Sequence, residues 1–207
     1  MPRLDFFASI LLSAVMVSGA ANAGEIIFET RATNNEVMPW DALGSWQAQS
    51  SPVTASELLE FTNVFTPGSQ RHSRLQLQFD ATGADLWEFE FGLDAGFGAA
   101  IYLNDELATS NGADLWWGYN WNASDQLLRL SSNLFMDGIN TIDVYWAENC
   151  CAGGQSGRFR TDSGSWRALS TANLNQVAEP GSIALLTAGL GGLVAARRQR
   201  RAAKHKL

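Results

Sequence analysis

Leu75-Gln76-Leu77-Gln78-Phe79 and, after a short break, Trp87-Glu88-Phe89-Glu90-Phe91 decide the fold class. In each run apolar and polar side chains alternate with period two, which puts one kind on each face of an extended strand. The pattern returns in Ile142, Val144 and Trp146, with Asp143 facing the other way. Shorter runs at 25–30, 99–104, 126–130, 158–160 and 166–169 read as further strands. Pro67-Gly68, Thr82-Gly83, Asn111-Gly112 and Asp137-Gly138 mark turns, and Asn104-Asp105 reads as a tight one. Strands with one polar and one apolar face belong to antiparallel sheets. About eight of them predict an all-β chain, an antiparallel β-sandwich or jelly roll. Only residues 56–61 suggest a helix, a short one. No internal repeat is visible.

Composition limits what this body does. The 207-residue chain carries a formal charge of -7, but six of its 14 basic residues lie between positions 197 and 206. Residues 24–178 hold seven arginines, no lysine and 19 acidic residues, a net charge of -12. A body of that sign has no basic face for phosphate, which excludes nucleic acid as a partner. Eight tryptophans and a 46% hydrophobic fraction exclude an acidic disordered chain.

The two ends read as addresses. Arg3, an apolar run over 6–17, and Ala21-Asn22-Ala23 before Gly24 predict a signal peptide over 1–23, cleaved between Ala23 and Gly24. The β-domain is expected over 24–177. After it come Glu179-Pro180-Gly181-Ser182, an apolar stretch over 183–196, and Arg197-Arg198-Gln199-Arg200-Arg201. As a helix that stretch spans about 21 Å, short of the ~30 Å hydrocarbon core, so it reads as a weak or transient inner-membrane anchor. The arginines predict a cytoplasmic C-terminus, with 202–207 as its tail.

Over 178–201, the Glu-Pro pair, the glycine-interrupted apolar helix and the arginine cluster resemble a PEP-CTERM sorting signal, with Ala178 standing where the first proline of the motif would be. The resemblance implies an exosortase-type membrane protease or transpeptidase as partner. It further implies removal of the tail and release to the cell surface or extracellular matrix of a Gram-negative bacterium that makes exopolysaccharide. The alternative is an ordinary tail anchor without release. Cys150-Cys151-Ala152-Gly153 resembles the signature of a Cys-Cys-x-Gly subgroup of such proteins. Over 93–160, a glycine-rich turn into a strand, a polar turn, and then Asp137-Gly138 before an aromatic strand end are similar to the protective-antigen-type β-sandwich of toxins, glycosidases and adhesins. That similarity implies carbohydrate binding in some members and calcium in a subset with adjacent aspartates. This chain has no Asp-Asp pair, so no cofactor or metal is assigned and calcium is left unsupported.

Two features carry the candidate chemistry. The adjacent cysteines are too few for a structural zinc site, and an exported protein tends to oxidise them. Cys150 and Cys151 either form a vicinal disulfide that stiffens a ligand-facing loop, or staple that loop structurally, or bridge separately to partners. A bond between neighbours forces a tight turn, since ordinary disulfides want a wider Cα spacing than adjacent residues give. The aromatic segment Trp116-Trp117-Gly118-Tyr119-Asn120-Trp121 suits sugars, which offer apolar C–H faces and rings of hydroxyls. Trp117, Tyr119 and Trp121 also fit one face of a strand, the pattern of plain core packing. Asp94, Asp105 and Asp137 either converge at one end of the sandwich or are solvated turn residues. His72 reads as a surface turn residue, and with no second histidine in the body most nucleophile–base arrangements are removed. The expectation is a non-catalytic exported protein binding glycan or exopolysaccharide through Trp116, Trp117, Tyr119, Asn120, Trp121, Cys150 and Cys151. Its rivals are a self-associating matrix protein without a defined ligand and, further off, a polysaccharide hydrolase using paired carboxylates.

Overall fold

The computed structural model describes residues 24–34, 37–66, 68–82, 84–150 and 153–176. The signal peptide, the sorting signal, the C-terminal tail and Cys151 lie outside the described residues. Among these residues thirteen strands, two short α-helices and two single 3-10 turns follow one another. The strands are β1 (Glu25–Ala32), β2 (Thr54–Glu57), β3 (Val64–Phe65), β4 (Arg71–Asp80), β5 (Trp87–Gly92), β6 (Asp94–Ala95), β7 (Ala99–Leu103), β8 (Glu106–Asn111), β9 (Leu115–Trp116), β10 (Leu127–Ser132), β11 (Ile139–Glu148), β12 (Gly154–Thr161) and β13 (Arg167–Ala168). Helix α1 is Ala42–Ala48 and α2 is Thr171–Asn175.

The strands form an antiparallel β-sandwich. One sheet runs β2-β1-β4-β11-β7-β8, the other β10-β5-β12-β13 with β3 paired to β12, and β6 and β9 form a separate ribbon. Period-two alternation sends Leu75, Leu77 and Phe79 of β4 and Ile142, Val144 and Trp146 of β11 inward from the first sheet. Trp87, Phe89 and Phe91 of β5 meet them from the second, with Leu128, Leu130 and Phe159. The rings interlock: Phe79 lies 4.8 Å from Trp87 and 5.5 Å from Phe89, and Phe89 lies 5.8 Å from Phe159. Asn104 and Asp105, at φ 50° and 69°, make the tight β7–β8 hairpin turn with the left-handed conformations that such turns require.

Two local expectations fail. No helix forms at 56–61; Thr54–Glu57 is instead an exposed edge strand on β1, with Ile27 opposite Glu57. Leu58 extends that edge by donating its N–H to the Ile26 carbonyl at 2.8 Å. The longer of the two helices that do form is α1, N-capped by Asp41, whose carboxylate accepts from Gly44 N–H at 2.9 Å. It covers the outer face of β11 and β7, where Trp46 packs with Tyr102 and Tyr145. His72 is no surface turn residue either. It lies in β4, 1% exposed, edge-on to Trp46 at 5.4 Å. Burial and then the nearby Arg31 guanidinium hold its imidazole at about 4, neutral at ordinary pH.

Phe89 sits at the centre of the ring cluster, so Phe89→Ala should destabilise the domain by about 3–5 kcal/mol, the range for truncating a buried aromatic. Urea unfolding followed by tryptophan fluorescence measures it. A loss below 1 kcal/mol would show that this stack is not the core.

Candidate functional site

The aromatic segment is not a strand beyond Trp116. β9 ends there, and Gly118 and Tyr119 turn the chain with φ of 55° and 59°. Asn120 N–H closes the turn on the Trp117 carbonyl at 2.8 Å. The single-face strand expected for Trp117, Tyr119 and Trp121 is therefore replaced by a turn that bunches the three rings. Trp117 lies 5.2 Å from Tyr119 and 4.6 Å from Trp121. Trp117 itself is 4% exposed and seated over Gly92, where an added Cβ would come within 2.2 Å of the indole. Trp116 and Tyr119 are 56% and 53% exposed.

The loop that ends in Gly153-Gly154 supports this turn. Trp117 Nε1 donates to the Gly154 carbonyl at 3.0 Å, and Gly154 N–H donates to the Tyr119 hydroxyl at 3.2 Å. Gly153 N–H donates to Asp94 Oδ2 at 2.6 Å. Glycine is demanded by close approach at both positions: a Cβ on Gly153 would stand 2.4 Å from Asp94 Oδ2, and one on Gly154 2.3 Å from the Tyr119 hydroxyl. Cys150 is exposed at the head of the loop, its N–H on Glu148 Oε1 at 2.9 Å.

Two hollows flank the segment, and the candidate residues divide between them. The first, about 300 Å³, is lined by Asp94, Asp114, Trp116, Glu148, Asn149 and Cys150. Here Asp94 and Glu148 are both 6% exposed and line the same hollow. Burial first, then the Glu148 carboxylate, push Asp94 up to about 7; Asp114 adds a little, and the Gly153 N–H opposes. The calcium implied for some similar sandwiches does not fit this donor set. Calcium takes six to eight oxygens, whereas the hollow offers only the side chains of Asp94, Asp114, Glu148 and Asn149, with Asp94 shifted towards its protonated form. Among the described residues no cluster of three or more potential ligands could hold a metal. Asp105 and Asp137 do not converge with Asp94. They flank the Leu103–Ile142 end of the β7–β11 pair, while Asp94 lies by Glu148 at the other.

The second hollow is an open cleft of about 440 Å³ beside the outer face of β12. Trp117, Tyr119 and Trp121 form one wall, and Trp166, Arg167 and Ala168 come from the β13 side. Glu60, Thr62 and Asn63 add polar groups, with Ser156 and Arg158 on β12. The Arg158 guanidinium is clamped between two indoles, 4.4 Å from Trp121 and 4.5 Å from Trp166. Its Nη2 and Nε reach Glu90 at 2.6 and 2.8 Å. Asn120 belongs to neither hollow; it is exposed and its side chain caps Asn122 N–H at 3.0 Å. Asn63, Arg158 and Trp166 were invisible as site residues in the sequence, because only strand pairing brings 60–63, 156–158 and 166–168 to one place.

Solved structures share this architecture. The PA14 sugar-binding domain from an RTX adhesin superposes with a TM-score of 0.50 and 10% identity, over 72% of this chain and 97% of that one. The A domain of epithelial adhesin 6 from Candida glabrata, in complex with Galβ1-3GlcNAc, gives 0.50 and 9% identity over 71% and 84%. At such identities the likeness is one of fold alone: this body and those domains share an antiparallel β-sandwich. No protein-family model and no curated protein matches the chain.

The acid pair makes stability depend on pH with a definite sign. Asp94 is raised from 3.8 to about 7 on folding, so its protonated form is favoured in the folded state. That contribution is complete below about pH 4 and is lost as pH rises through about 7. Asp94→Asn stays neutral and can still accept from Gly153 N–H. Its melting temperature should therefore rise relative to wild type between pH 4 and pH 8, by differential scanning fluorimetry. A difference independent of pH would remove the account of a protonated Asp94.

Proposed function

We propose that this chain is an exported, non-catalytic glycan-binding protein of the bacterial cell surface or extracellular matrix. The observation that carries the reading is the cleft beside β12, where indole and phenol rings stand around carboxylate, amide and hydroxyl groups in one open concavity. Apolar walls with a few convergent polar groups are the ordinary composition of small-ligand sites, and a sugar ring offers the complementary C–H face and hydroxyls. Its openness suits a chain passing across rather than a small molecule enclosed. The sugar-binding domain of the RTX adhesin and the epithelial adhesin 6 domain in complex with Galβ1-3GlcNAc, which share this fold, support the same reading.

The carboxylates argue against hydrolysis. Glycosidases hold their two carboxyl groups about 5–9.5 Å apart on either side of the bond. Asp94 and Glu148, the buried pair of the acidic hollow, instead interact closely enough that Asp94 is pushed up to about 7. Delivery rests on the tail: Glu179-Pro180, the apolar stretch and the arginines support exosortase-type sorting, with transient residence in the inner membrane. Among the described residues no helix is long and apolar enough to cross a membrane.

Trp121→Ala should lower affinity for any glycan retained on an array at least tenfold, or about 1.4 kcal/mol. Leu134→Ala, at an exposed apolar residue outside both hollows, should bind as wild type. An array with no retained glycan, or Trp121→Ala binding normally, would overturn the site. Intact mass of protein recovered outside a native host should correspond to a chain starting at Gly24 and ending near residue 178. A retained tail would overturn sorting, and a reducible dimer would favour the self-associating matrix protein.

A further inference from the structure

The outer face of the first sheet holds a third hollow, remote from the β12 cleft. It measures about 310 Å³ and lies between helix α1 and the strands beneath it. Leu43, Trp46 and Gln47, spaced i, i+3 and i+4, turn one helix face towards it. Arg74 of β4, Tyr102 of β7, and Asp143 and Tyr145 of β11 form the floor. These four alternate with Leu75, Ile101, Ile142 and Val144 of the core, so they stand on the outward face. The helix wall is tied to the sheet: Leu43 N–H donates to the Tyr102 hydroxyl at 3.4 Å, and Arg31 donates to the Trp46 carbonyl at 2.8 Å.

The floor keeps hydrogen-bonding capacity unused. Tyr145 is 4% exposed and Asp143 5%, a depth at which polar groups are ordinarily paired. Asp143 accepts on Oδ1 alone, from Arg74 Nε at 2.8 Å and Gln76 Nε2 at 3.2 Å. Among the described residues its Oδ2 accepts no hydrogen bond, and the Tyr145 hydroxyl makes none. Neither atom is sealed from solvent. Burial first, then the Asp143 carboxylate, pushes the Tyr145 hydroxyl up to about 12, so it remains a donor at ordinary pH. The acceptor and the donor lie two residues apart on one strand face, about 6.8 Å along β11.

The charges select the ligand class. Arg74 is spent between Glu29 at 3.1 Å and Asp143 at 2.8 Å. Asp105, in the β7–β8 turn, also lines the hollow, so acid outnumbers base there and an anion is disfavoured. A cation is disfavoured too, because Arg74 already holds the place beside Asp143 and over the Tyr145 ring, 5.8 Å from its centre. A neutral group that donates and accepts at once is left, and a hydroxyl does both. Resting on the glycan-binding reading, we propose that this hollow is a second carbohydrate site, taking a neutral, hydroxyl-rich sugar unit. One hydroxyl donates to Asp143 Oδ2, another accepts from Tyr145, and the C–H face of the ring rests on Leu43 and Trp46. With its own rings mostly buried, this is the weaker site, and retention on an array is governed by the β12 cleft. The two open from opposite sheets across a core about 10 Å thick, so one molecule holds two polysaccharide segments at once.

The test is calorimetric titration of the exported protein with cellotetraose, mannotetraose, chitotetraose and N-deacetylated chitotetraose. Trp121→Ala, whose β12 cleft is impaired, should still bind at least one of the neutral tetrasaccharides. Adding Tyr145→Phe, which keeps the ring and removes only the hydroxyl, should weaken that remaining binding at least fivefold. Near-ultraviolet circular dichroism checks the fold of both variants. Remaining binding unmoved by Tyr145→Phe, or no neutral tetrasaccharide bound by Trp121→Ala, would overturn the second site while leaving the β12 cleft in place. Failure of the wild type to bind any of them, together with an empty glycan array, would overturn the glycan reading itself. N-deacetylated chitotetraose binding Trp121→Ala more tightly than every neutral tetrasaccharide would overturn the neutral ligand class.

Discussion

The register of β11 is the constraint from which the rest follows. It is hydrogen-bonded on both sides, pairing β4 from Ile139 opposite Asp80 to Glu148 opposite Arg71, and β7 from Ile142 opposite Leu103 to Trp146 opposite Ala99. That register sends Ile142, Val144 and Trp146 into the core and turns Asp143 outward to Arg74 at 2.8 Å. A slip of one residue would exchange the faces and put the Asp143 carboxylate among aromatic rings, at the cost of an unpaired buried charge. Both ends are pinned. Asn140 donates to the Met136 and Gly138 carbonyls and accepts from Met136 N–H, which fixes the start. Glu148 fixes the end by accepting the N–H groups of Gly96, Asn149 and Cys150.

The outer faces of both sheets are organised by arginine rather than lysine, and the chemistry of the clamps explains why. At Arg158 one side chain must lie flat between two indoles and at the same time donate two hydrogen bonds to Glu90. A planar guanidinium with several fixed donors does both, whereas an ammonium offers a point charge and no face. Arg160 repeats the arrangement, over Trp166 at 4.6 Å and bonded to Glu88. Glu90 is buried, so its charge is tolerated only with Arg129 and Arg158 beside it. The absence of lysine from residues 24–178, which by composition alone looks like an accident of an acidic chain, becomes at these positions a geometric requirement.

The sandwich was legible because burial here is one-sided. Gln76 and Gln78 alternate with Leu75, Leu77 and Phe79 since one face meets the core and the other does not. The same rule misled at Trp117, Tyr119 and Trp121, where Gly118 in a left-handed turn breaks the strand that the spacing suggests. It was silent at α1, only seven residues long, whose apolar side chains cover an outer sheet face already counted as polar. His72 looked like part of a turn because its neighbours are polar, yet Trp46 and Arg31 come from distant sequence to cover it. Of the site, the aromatic segment could be named from the sequence, but its partners could not. Asp94 meets Glu148 only where β6 packs beside the end of β11, and Trp121 and Trp166 are brought together only by the Arg158 guanidinium that both rings flank.

The two hollows are built on one stretch of backbone. Consecutive amides point to opposite sides, Gly153 N–H to the Asp94 carboxyl and Gly154 N–H to the Tyr119 hydroxyl. A side chain at Gly153 would displace the acid pair, and one at Gly154 would displace the ring wall of the cleft, since each Cβ would come well inside contact distance. The glycines that follow the cysteines are thus the part of that motif with a demonstrable steric function. Cys150 acts one step earlier, where its N–H helps to hold Glu148 and, through Glu148, the Asp94 carboxyl against Gly153. What reads in sequence as a short appendage to a cysteine pair is, in the fold, the partition from which the acidic hollow and the aromatic cleft both take their shape.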